Sequence, residues 1–382
     1  MIATESPLFA MGYERAGGYP VLRVAGALDH SELDAQLARR RALLVVSPTV
    51  ERLHRPALDA LAGRSGGMVH RTRCASGERA KVLPAVEALC NAAFAAGLDR
   101  HGLLVAVGGG VCCDLVTLTA SIYRRGIAHI RVPTTLVGQI DAGLGAKGAA
   151  NFAGRKNAVG CFHPPALVLI DERLMRTLPV AEVRAGLAEI VKMALVTDPR
   201  LFDLVEDTLP SLLETRFQEP AGAASTIVAV AARRMLEALE GNLFEDHTYR
   251  RIVDAGHTFS PRLEAASGFR IRHGEAVAID LALSATIAAR LGLLPERERD
   301  RIVDLIVAAG LPTTSSHLTA ELCREALADA IAHRGGQLNL PLFEGIGRPR
   351  FVDEPATVER VLEPALEDLR ARSSHKILAI AS

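Results

Sequence analysis

A chain of 382 residues is long enough for two domains with sizeable hydrophobic cores. Hydrophobic residues make up 49% of it and charged residues 23%, which is ordinary for a globular protein and argues against disorder. Lysine and arginine together number 44, as do aspartate and glutamate, so no global electrostatic field favours nucleic acid or an anionic membrane as a partner.

The N-terminal stretch MIATESPLFAMGYERAGG has no basic segment followed by an apolar core, so we expect no signal sequence there. No apolar run in the chain approaches the length that spans a bilayer. The cysteines stand at positions 74, 90, 112, 113, 161 and 323 without a CxxC pair, which indicates reduced thiols rather than a disulfide framework or a Cys-ligated zinc. We therefore expect a cytoplasmic enzyme.

The first half of the sequence alternates short apolar runs with turns. The runs of the β type are ALLVVSP (42–48), GLLVAVGGG (102–110), HIRVP (129–133) and ALVLID (166–171). Between the first two, GERAKVLPAVEALCNAAFAAG has the periodicity of a helix. Strand, helical crossover and strand in this order predict a parallel α/β layer.

The glycines of GGGVCCD (108–114) follow one of these strands and open a predicted helix. Consecutive glycines let a backbone approach a pyrophosphate, and a helix N-terminus offers free N–H groups and the positive end of a dipole. The G-x-G-x-x-G pattern is not met, because Cys113 stands where the third glycine would be. A phosphate cradle and a tight structural turn therefore both remain open.

The next segment, residues 123–160, is rich in glycine and, apart from HIRVP, has little helix or strand tendency. A stretch of this length without regular structure inside a compact domain is usually functional. Lys147 and Lys156 are candidate donors to a phosphate, and Asp141 and Asn157 are candidates to hold hydroxyl groups. A mobile, solvated loop is the alternative interpretation.

Beyond about residue 176 the sequence changes to long alanine- and leucine-rich helical stretches, several of which end in glycine. These stretches are PVAEVRAGLAEIVKMALV, ASTIVAVAARRMLEALEG, GEAVAIDLALSATIAARLG, RERDRIVDLIVAAG and TAELCREALADAIAHR. We therefore place a domain boundary near residue 175, which divides the chain into an α/β domain, 1–175, and an all-helical domain, 176–382.

One carboxylate of the helical half, Glu189 in RAGLAEIVKMAL, shares a predicted helix face with Lys192 at i, i+3. A surface ion pair is one interpretation. The apolar neighbours Leu187, Ile190 and Met193 indicate instead that this face is at least partly buried. A buried carboxylate needs a cation or a metal.

Two histidines complete the candidates for a metal site. His257 lies in AGHTFSPRLE, and His273 opens HGEAVAID directly before Gly274. Two histidines and a glutamate from three helices would form the ligand set typical of a catalytic zinc with an open position. Each histidine alone is more often a core or capping residue, and the sequence spacing does not bring the three residues together.

Taken together, these motifs resemble those of the sugar phosphate cyclases, the family that includes 3-dehydroquinate synthase. The similarity extends from SGERAK (76–81) to HRGGQLNLPL (333–342). It rests on GGGV-x-x-D, RVPTTL with Asp141 downstream, the glycine- and lysine-rich loop ending in KN, LAE-x-x-K, and GHTF followed by HGEAVA.

The resemblance implies an N-terminal Rossmann-like α/β domain that binds NAD, an all-α C-terminal domain that binds zinc or cobalt, and usually a homodimer. The metal ligands would be Glu189, His257 and His273. The contacts to NAD would be Glu78, Lys81, Gly109, Gly110, Asp114, Thr134, Thr135, Lys156 and Thr177. The residues for substrate and catalysis would be Asp141, Lys147, Asn157, Lys192, Arg250, Asp280 and Arg334, with the basic ones available to a phosphate.

Two departures from the dehydroquinate synthase pattern point to a branch of the family. Those enzymes read GHTFGHAIE where this chain reads GHTFSPRLE, so Pro261 replaces a histidine, and Met235 stands where they carry a lysine. With Asp280, these changes resemble the valiolone-type synthases, which cyclise sedoheptulose 7-phosphate. We expect Pro261 and Met235 to enlarge or depolarise the pocket that holds a carboxylate in dehydroquinate synthases. We also expect Pro261 to kink a helix beside His257, because proline has no N–H to donate.

A third departure concerns the product. After GLPT this chain has Thr314, Ser315 and Ser316, where the 2-epi-5-epi-valiolone synthases carry Trp-His-Pro. The two C5 epimers, 2-epi-valiolone and 2-epi-5-epi-valiolone, are therefore both open as products.

The resemblance also implies a carbon–oxygen lyase reaction without net redox change. NAD removes a hydride from a ring carbinol, phosphate leaves by β-elimination, the hydride returns, and the opened ring closes by an intramolecular aldol reaction. The alternatives are 3-dehydroquinate synthase or desmethyl-4-deoxygadusol synthase activity, and, from another class, a metal-dependent NAD alcohol dehydrogenase.

Overall fold

A computed structural model describes residues 17–65 and 67–380. The N-terminal stretch in which we expect no signal sequence lies almost wholly outside these residues. Within the described ranges, no helix combines the length and the apolar character needed to cross a membrane.

The first half of the chain folds around a six-stranded parallel sheet with strand order β1-β8-β5-β4-β2-β3. Its elements are β1 (Val21–Arg23), α1 (Ser31–Leu37), β2 (Ala42–Val46), α2 (Pro48–Arg64), β3 (Val69–Arg73), α3 (Leu83–Ala95), β4 (Leu103–Gly108), α4 (Gly110–Ile122), β5 (Ala128–Pro133), β6 (Lys147–Phe152), β7 (Arg155–Phe162) and β8 (Leu167–Ile170). The four apolar runs form β2, β4, β5 and β8, and the predicted parallel α/β layer is confirmed.

Both faces of this sheet are covered, as expected for parallel strands that are apolar along their whole length. On β2, Leu43 and Val45 pack into one core cluster, while Leu44 and Val46 pack into a second cluster on the opposite face. This division follows from the two-residue period of a strand. Burial on both sides explains why these strands read as continuous apolar runs.

The glycine turn lies where the strand order reverses. From β2 the chain adds β3 on one side and then crosses to β4 on the other. In open parallel sheets, ligands bind beyond the carboxyl ends of the strands at such a switch point. Residues 108–110 occupy that place, between the end of β4 and the start of α4.

Residues 123–160 differ from our prediction of a segment without regular structure. β6 and β7 form an antiparallel hairpin, and a π-helical turn at Gly138–Ala142 precedes it. β6 packs closely on α4, since a Cβ on Gly148 would lie 2.6 Å from the Cβ of Thr117. Pairing and packing therefore impose a strand conformation for which the local sequence has little tendency.

The second half is helical, as predicted. Its elements are α5 (Val180–Thr197), α6 (Pro199–Glu214), α7 (Ala221–Glu240), α8 (Ser260–Ala266), α9 (His273–Arg290), α10 (Glu296–Ala308), α11 (Ala320–His333), β9 (Leu340–Gly345), β10 (Arg348–Val352) and α12 (Pro355–Ile380). The antiparallel pair β9–β10 was not anticipated, because helical periodicity alone does not reveal a hairpin between two helices. β8 ends ten residues before α5 begins, and the exact boundary near residue 175 stays a prediction.

α9 is the central helix of this half. Every residue from 276 to 288 is buried, as expected for a helix that is apolar on all sides. α5, α10 and α12 pack around it. The first residue of α9 is therefore held at a defined place by the core of the helical half.

Candidate metal and cofactor site

The glutamate and the two histidines singled out in the sequence converge in the structure. Glu189 lies in the middle of α5, His257 lies in the loop before α8, and His273 is the first residue of α9. One donor atom of each lies within 4.8 Å of the donor atoms of the other two. Glu189 Oε1 is 3.0 Å from His273 Nε2 and 3.6 Å from His257 Nε2. Three donors from three separate elements therefore face one point.

A close approach of two helices brings His273 to Glu189. A Cβ on Gly274 would lie 2.2 Å from the carbonyl oxygen of Ala185, so only glycine lets the start of α9 lie against α5. Ala185 is one helical turn before Glu189 on the same helix. Gly274 therefore sets the distance between two of the three donors.

A backbone hydrogen bond orients His257. Its Nδ1 is 3.0 Å from the carbonyl oxygen of Ala255, and because a carbonyl only accepts, Nδ1 carries the proton. This leaves Nε2 unprotonated toward Glu189, as a metal ligand requires. Gly256, with φ at 74°, makes the turn that places the ring.

The site has unusual electrostatics. Burial penalises the charged form of Glu189, but Lys192, His257 and His273 outweigh it and hold the pKa of Glu189 well below its usual range. Burial lowers the pKa of His257 to about 4, in spite of Glu189. Burial also opposes the charged form of His273, but Glu264 and Glu189 outweigh it and raise the pKa of His273 to about 9. In the metal-free protein the cluster thus holds one ionised carboxylate, Glu189, one neutral imidazole, His257, and one protonated imidazole, His273.

This donor set fits a divalent metal. Glu189 is fully buried, and neither of its oxygens has a donor in hydrogen-bond geometry, although Lys192 Nζ lies 2.6 Å from Oε2. A buried carboxylate that faces two imidazole nitrogens has spare acceptor capacity for a cation. Two histidines and one carboxylate suit zinc with an open position, and cobalt takes the same ligands.

The metal cluster lies next to the glycine turn. Lys192 Nζ is 2.7 Å from Oδ2 of Asp141, which belongs to the α/β half. The neighbouring Ala142 lies against the turn, since a Cβ on Gly110 would be 3.3 Å from the Cβ of Ala142. This line of contacts from Gly110 to Glu189 places the predicted cofactor turn and the predicted metal ligands in one cleft.

The turn itself has no room for side chains. Gly109 is the N-cap of α4, and a Cβ on it would lie 2.9 Å from Cγ2 of Thr135. Thr134 donates its N–H to the carbonyl of Gly108 at 2.9 Å, which ties the loop after β5 to the turn. Backbone N–H groups at the start of a helix, free of side chains, fit the pyrophosphate of NAD.

Further residues predicted for ligand contacts cluster beside α4. Lys81 is 2% exposed, forms an ion pair with Asp114, and donates to Oδ1 of Asn157 at 2.6 Å. Asn151 Nδ2 donates to Oε1 of Glu78 at 2.9 Å. Thr177, in contrast, is exposed at the end of the 3₁₀ segment that follows β8.

We predicted Lys156 as a contact to NAD and Asn157 as a contact to the substrate, and the structure gives the two neighbours different surroundings from that division. Lys156 Nζ lies 2.7 Å and 2.8 Å from the carboxylate oxygens of Glu264 and 3.0 Å from His273 Nδ1. Asn157 instead faces Lys81. Asn157 has a φ of 54°, in the left-handed region, so β7 departs from regular strand geometry there and the two neighbours serve different surroundings. Contacts of either residue with a ligand stay a prediction.

The structure does not gather all the basic residues that we expect to hold a phosphate. Lys192 lies in the metal cluster, whereas Lys147 pairs with Glu245 and has a half-exposed side chain. Arg250 pairs with Asp353 at 2.8 Å. Arg334 is buried, and its guanidinium donates to two backbone carbonyls of the segment before β9. Phosphate contacts of all four residues stay a prediction.

Asp280 lies behind the metal cluster. Its side chain is fully buried, and Oδ2 accepts the N–H groups of Phe259 at 2.6 Å and Ser260 at 2.9 Å. Burial raises the pKa of Asp280 to about 6, although these hydrogen bonds lower it. Asp280 therefore fixes the start of α8, close behind His257, and any effect on catalysis passes through that helix.

Pro261 does not kink a helix, so that expectation is wrong. α8 begins at Ser260, and Pro261 stands in its first turn, where a backbone N–H needs no helical partner. The helix begins later in the sequence than the helical pattern indicated. Met235 is 2% exposed and belongs to the hydrophobic core of the helical half.

Glu264 is a residue of the site that the sequence did not reveal. It is 2% exposed, and its carboxylate contacts both Lys156 and His273. An acidic residue on a seven-residue helix gives no sign of burial by itself. Two signals were available: GHTFSPRLE keeps the final glutamate of the GHTFGHAIE pattern, and Glu264 shares a helix face with Ser260 and Leu263, which are also buried.

Known proteins share this architecture. Residues 71–185 match the 3-dehydroquinate synthase N-terminal model, and residues 186–331 match the 3-dehydroquinate synthase C-terminal model. Over 337 residues the chain is 43% identical to the 2-epi-5-epi-valiolone synthase of Streptomyces hygroscopicus subsp. jinggangensis strain 5008, covering 87% of this chain and 81% of that protein.

Two solved structures extend the comparison. ValA, a 2-epi-5-epi-valiolone synthase from S. hygroscopicus subsp. jinggangensis 5008 with NAD+ and Zn2+ bound, matches at a TM-score of 0.89 and 41% identity, covering 95% of this chain and all (100%) of that one. A 2-deoxy-scyllo-inosose synthase with carbaglucose-6-phosphate, NAD+ and Co2+ matches at 0.73 and 25% identity, covering 90% and 96%.

Proposed function

The chain belongs to the 3-dehydroquinate synthase family of sugar phosphate cyclases, and on that premise we propose that it converts sedoheptulose 7-phosphate to a C7 cyclitol with release of phosphate. The identity of 43% to a 2-epi-5-epi-valiolone synthase supports this substrate and favours that epimer as the product. Ser315 and Ser316, where Trp-His-Pro was expected, keep 2-epi-valiolone as the alternative product.

The observation that carries the proposal is the contact between the two predicted sites. Lys192 bridges Glu189 of the helical half and Asp141 of the α/β half, and Asp141 adjoins the residue that lies on the glycine turn. A cyclase of this kind must oxidise and later reduce one carbon while a neighbouring oxygen is held. NAD as the hydride acceptor and the metal cation must then lie side by side, and the contact between the glycine turn and the metal cluster allows this.

Glu189, His257 and His273 would hold the metal, and the turn at Gly109 and Gly110 would receive the pyrophosphate of NAD. When bound, NAD takes up and returns a hydride, and zinc or cobalt stabilises negative charge on the reacting oxygens as a Lewis acid.

Lys192 supplies a fixed positive charge in this cleft. Burial disfavours its charged form, but Asp141 and Glu189 outweigh burial and raise its pKa above the usual value. The ammonium therefore stays protonated and donates hydrogen bonds to ligand oxygens without losing its proton. Lys147, half-exposed and paired with Glu245, would exchange that partner for a phosphate oxygen.

We further propose a carbon–oxygen lyase that acts in the cytoplasm as a homodimer. The cysteines are free and four of them are buried, which suits a reducing compartment. The homodimer follows from the family resemblance. Gel filtration combined with light scattering measures the oligomeric state directly.

The decisive experiment incubates metal-loaded protein with NAD and sedoheptulose 7-phosphate and identifies the product by NMR, including its C5 configuration. We expect a cyclitol, inorganic phosphate and no net NADH. Stoichiometric NADH would identify an alcohol dehydrogenase instead. Turnover of the C7 acid phosphate used by dehydroquinate synthases at a rate equal to that of the sugar phosphate would contradict the roles given to Pro261 and Met235.

A further inference from the structure

His273 lies between two glutamates. Its Nε2 is 3.0 Å from Glu189 Oε1, inside the metal cluster. Its Nδ1, on the opposite side of the ring, is 2.9 Å from Oε1 of Glu264. Glu264 lies on α8 and is 2% exposed, so its carboxylate has little access to water. A glutamate of α5 and a glutamate of α8 therefore each contact one nitrogen of the imidazole.

A third group competes for Nδ1. Lys156 Nζ is 3.0 Å from His273 Nδ1 and 2.7 Å and 2.8 Å from the two oxygens of Glu264. An ammonium only donates, so a bond from Lys156 to Nδ1 requires Nδ1 to lack its proton. A carboxylate only accepts when ionised, so a bond from Nδ1 to Glu264 requires the proton to be there. In the neutral imidazole that a metal binds, the two arrangements place the single ring proton on opposite nitrogens.

We propose that Glu264 is the positioning residue that selects the metal-binding tautomer of His273. By accepting from both Nδ1–H and Lys156, the carboxylate keeps the imidazole proton on Nδ1 and leaves Nε2 free for the metal. Without the carboxylate, Lys156 donates to Nδ1 and the proton moves to Nε2, where it blocks the metal. His257 reaches the same tautomer through the carbonyl of Ala255.

The inference rests on the proposed function only in taking the cluster as a metal site, and its test needs no substrate. Zinc affinity is measured by competition with a chelator for the full-length wild-type protein and for Glu264→Gln, which keeps shape and removes the charge. We expect Glu264→Gln to bind zinc roughly 10–100-fold more weakly, the usual effect of losing such a partner. We also expect the absorption spectrum of the cobalt form to change, because His273 no longer holds its position.

The matched control is Glu296→Gln. Glu296 is the first residue of α10, its side chain is 82% exposed, and it lies near Arg290 at the opposite end of α9 from His273. This variant should bind zinc and absorb as wild type does. A second variant, Glu264→Gln with Lys156→Met, removes the competing donor and should recover part of the lost affinity.

Wild-type zinc affinity in Glu264→Gln would overturn the proposal. A loss of zinc affinity that the Lys156→Met change does not relieve would also overturn it. If the metal-free Glu264→Gln protein also melts at a lower temperature than wild type, the role of Glu264 is purely structural. If Glu264→Gln weakens zinc binding as expected but the wild-type protein makes no cyclitol, the inference stands and the proposed substrate fails.

Discussion

The glycine turn and the metal cluster lie side by side, but backbone forms the turn and side chains form the cluster. The turn consists of backbone from a single stretch, residues 108–110, and depends on the absence of side chains. The cluster consists of side chains from three separate elements and depends on the groups that orient them. An added methyl group at residues 108–110 therefore acts on the turn directly, whereas the cluster is sensitive to any change in the contacts that place its side chains.

The largest expected effect comes from removing one ligand. His257→Ala should abolish zinc binding and lower cyclase turnover at least about a thousandfold, because a Lewis acid supplies several kcal/mol and each ~1.36 kcal/mol is worth tenfold. NAD binding, measured by calorimetry, should be unchanged because the glycine turn, and not the metal cluster, would hold the pyrophosphate of NAD. The matched control His247→Ala removes an exposed imidazole, 74% exposed, and should leave both ligands bound. Loss of NAD binding in His257→Ala would show that the turn and the cluster do not act independently.

The next effect concerns the carboxylate behind the cluster. The pKa of Asp280 is about 6 in the folded protein against 3.8 when unperturbed, so its contribution to stability is complete below about pH 4 and is lost as pH rises through about 6. The loss amounts to about 3 kcal/mol at ~1.36 kcal/mol per pKa unit. Urea unfolding of metal-free protein should show this as a difference, with the stability of wild type relative to Asp280→Asn falling by that amount between about pH 4 and about pH 6. His257, with its pKa lowered to about 4, titrates in the same window in the opposite direction, but alike in both proteins.

The exposed Asp207→Asn is the control for this prediction and should follow wild type. A stability difference between wild type and Asp280→Asn that does not change with pH would show that the buried carboxyl is not the titrating group. The glycine turn contains no titratable side chain, so NAD binding should not follow the same pH profile.

A smaller effect tests the helix contact that brings the ligands together. In Gly274→Ala the new methyl group would meet the backbone of Ala185, so we expect about 1–3 kcal/mol of destabilisation and weaker zinc binding. NAD affinity should not change. Gly222→Ala on α7 is the control, because no atom lies within 4 Å of its Cβ position, and it should not be destabilised. Normal zinc affinity in Gly274→Ala would refute the role of this contact.

The smallest effect tests the turn. Gly109→Ala places a methyl group 2.9 Å from Thr135 Cγ2, a side-chain atom that can shift, so we expect roughly tenfold weaker NAD binding. Zinc affinity should be that of wild type. Gly63→Ala on α2, where nothing lies within 4 Å, serves as the control and should bind NAD normally. A zinc defect in Gly109→Ala would contradict the separation of the two regions.

Much of the fold could be predicted from the sequence because the relevant signals are local. The apolar runs of β2, β4, β5 and β8 and the periodicity of the long helices report burial over a few neighbouring residues. The glycine turn was visible because its chemistry is contained in consecutive positions. The three candidate ligands were singled out by residue type and surroundings, but only the resemblance placed them in one site, since their spacing in the chain does not bring them together.

The tertiary structure decided what depends on distant partners. β6 and β7 are strands because they pair with each other and pack on α4, and Pro261 begins a helix rather than bending one. The positions of β7 and α8 explain why Lys156 and Asn157 contact different partners and why Glu264 is buried. The sequence by itself determined which segments are apolar and which residues carry the chemistry. Only packing between remote segments decided which of them touch, because contact in space is set by the whole core and not by neighbours in the chain.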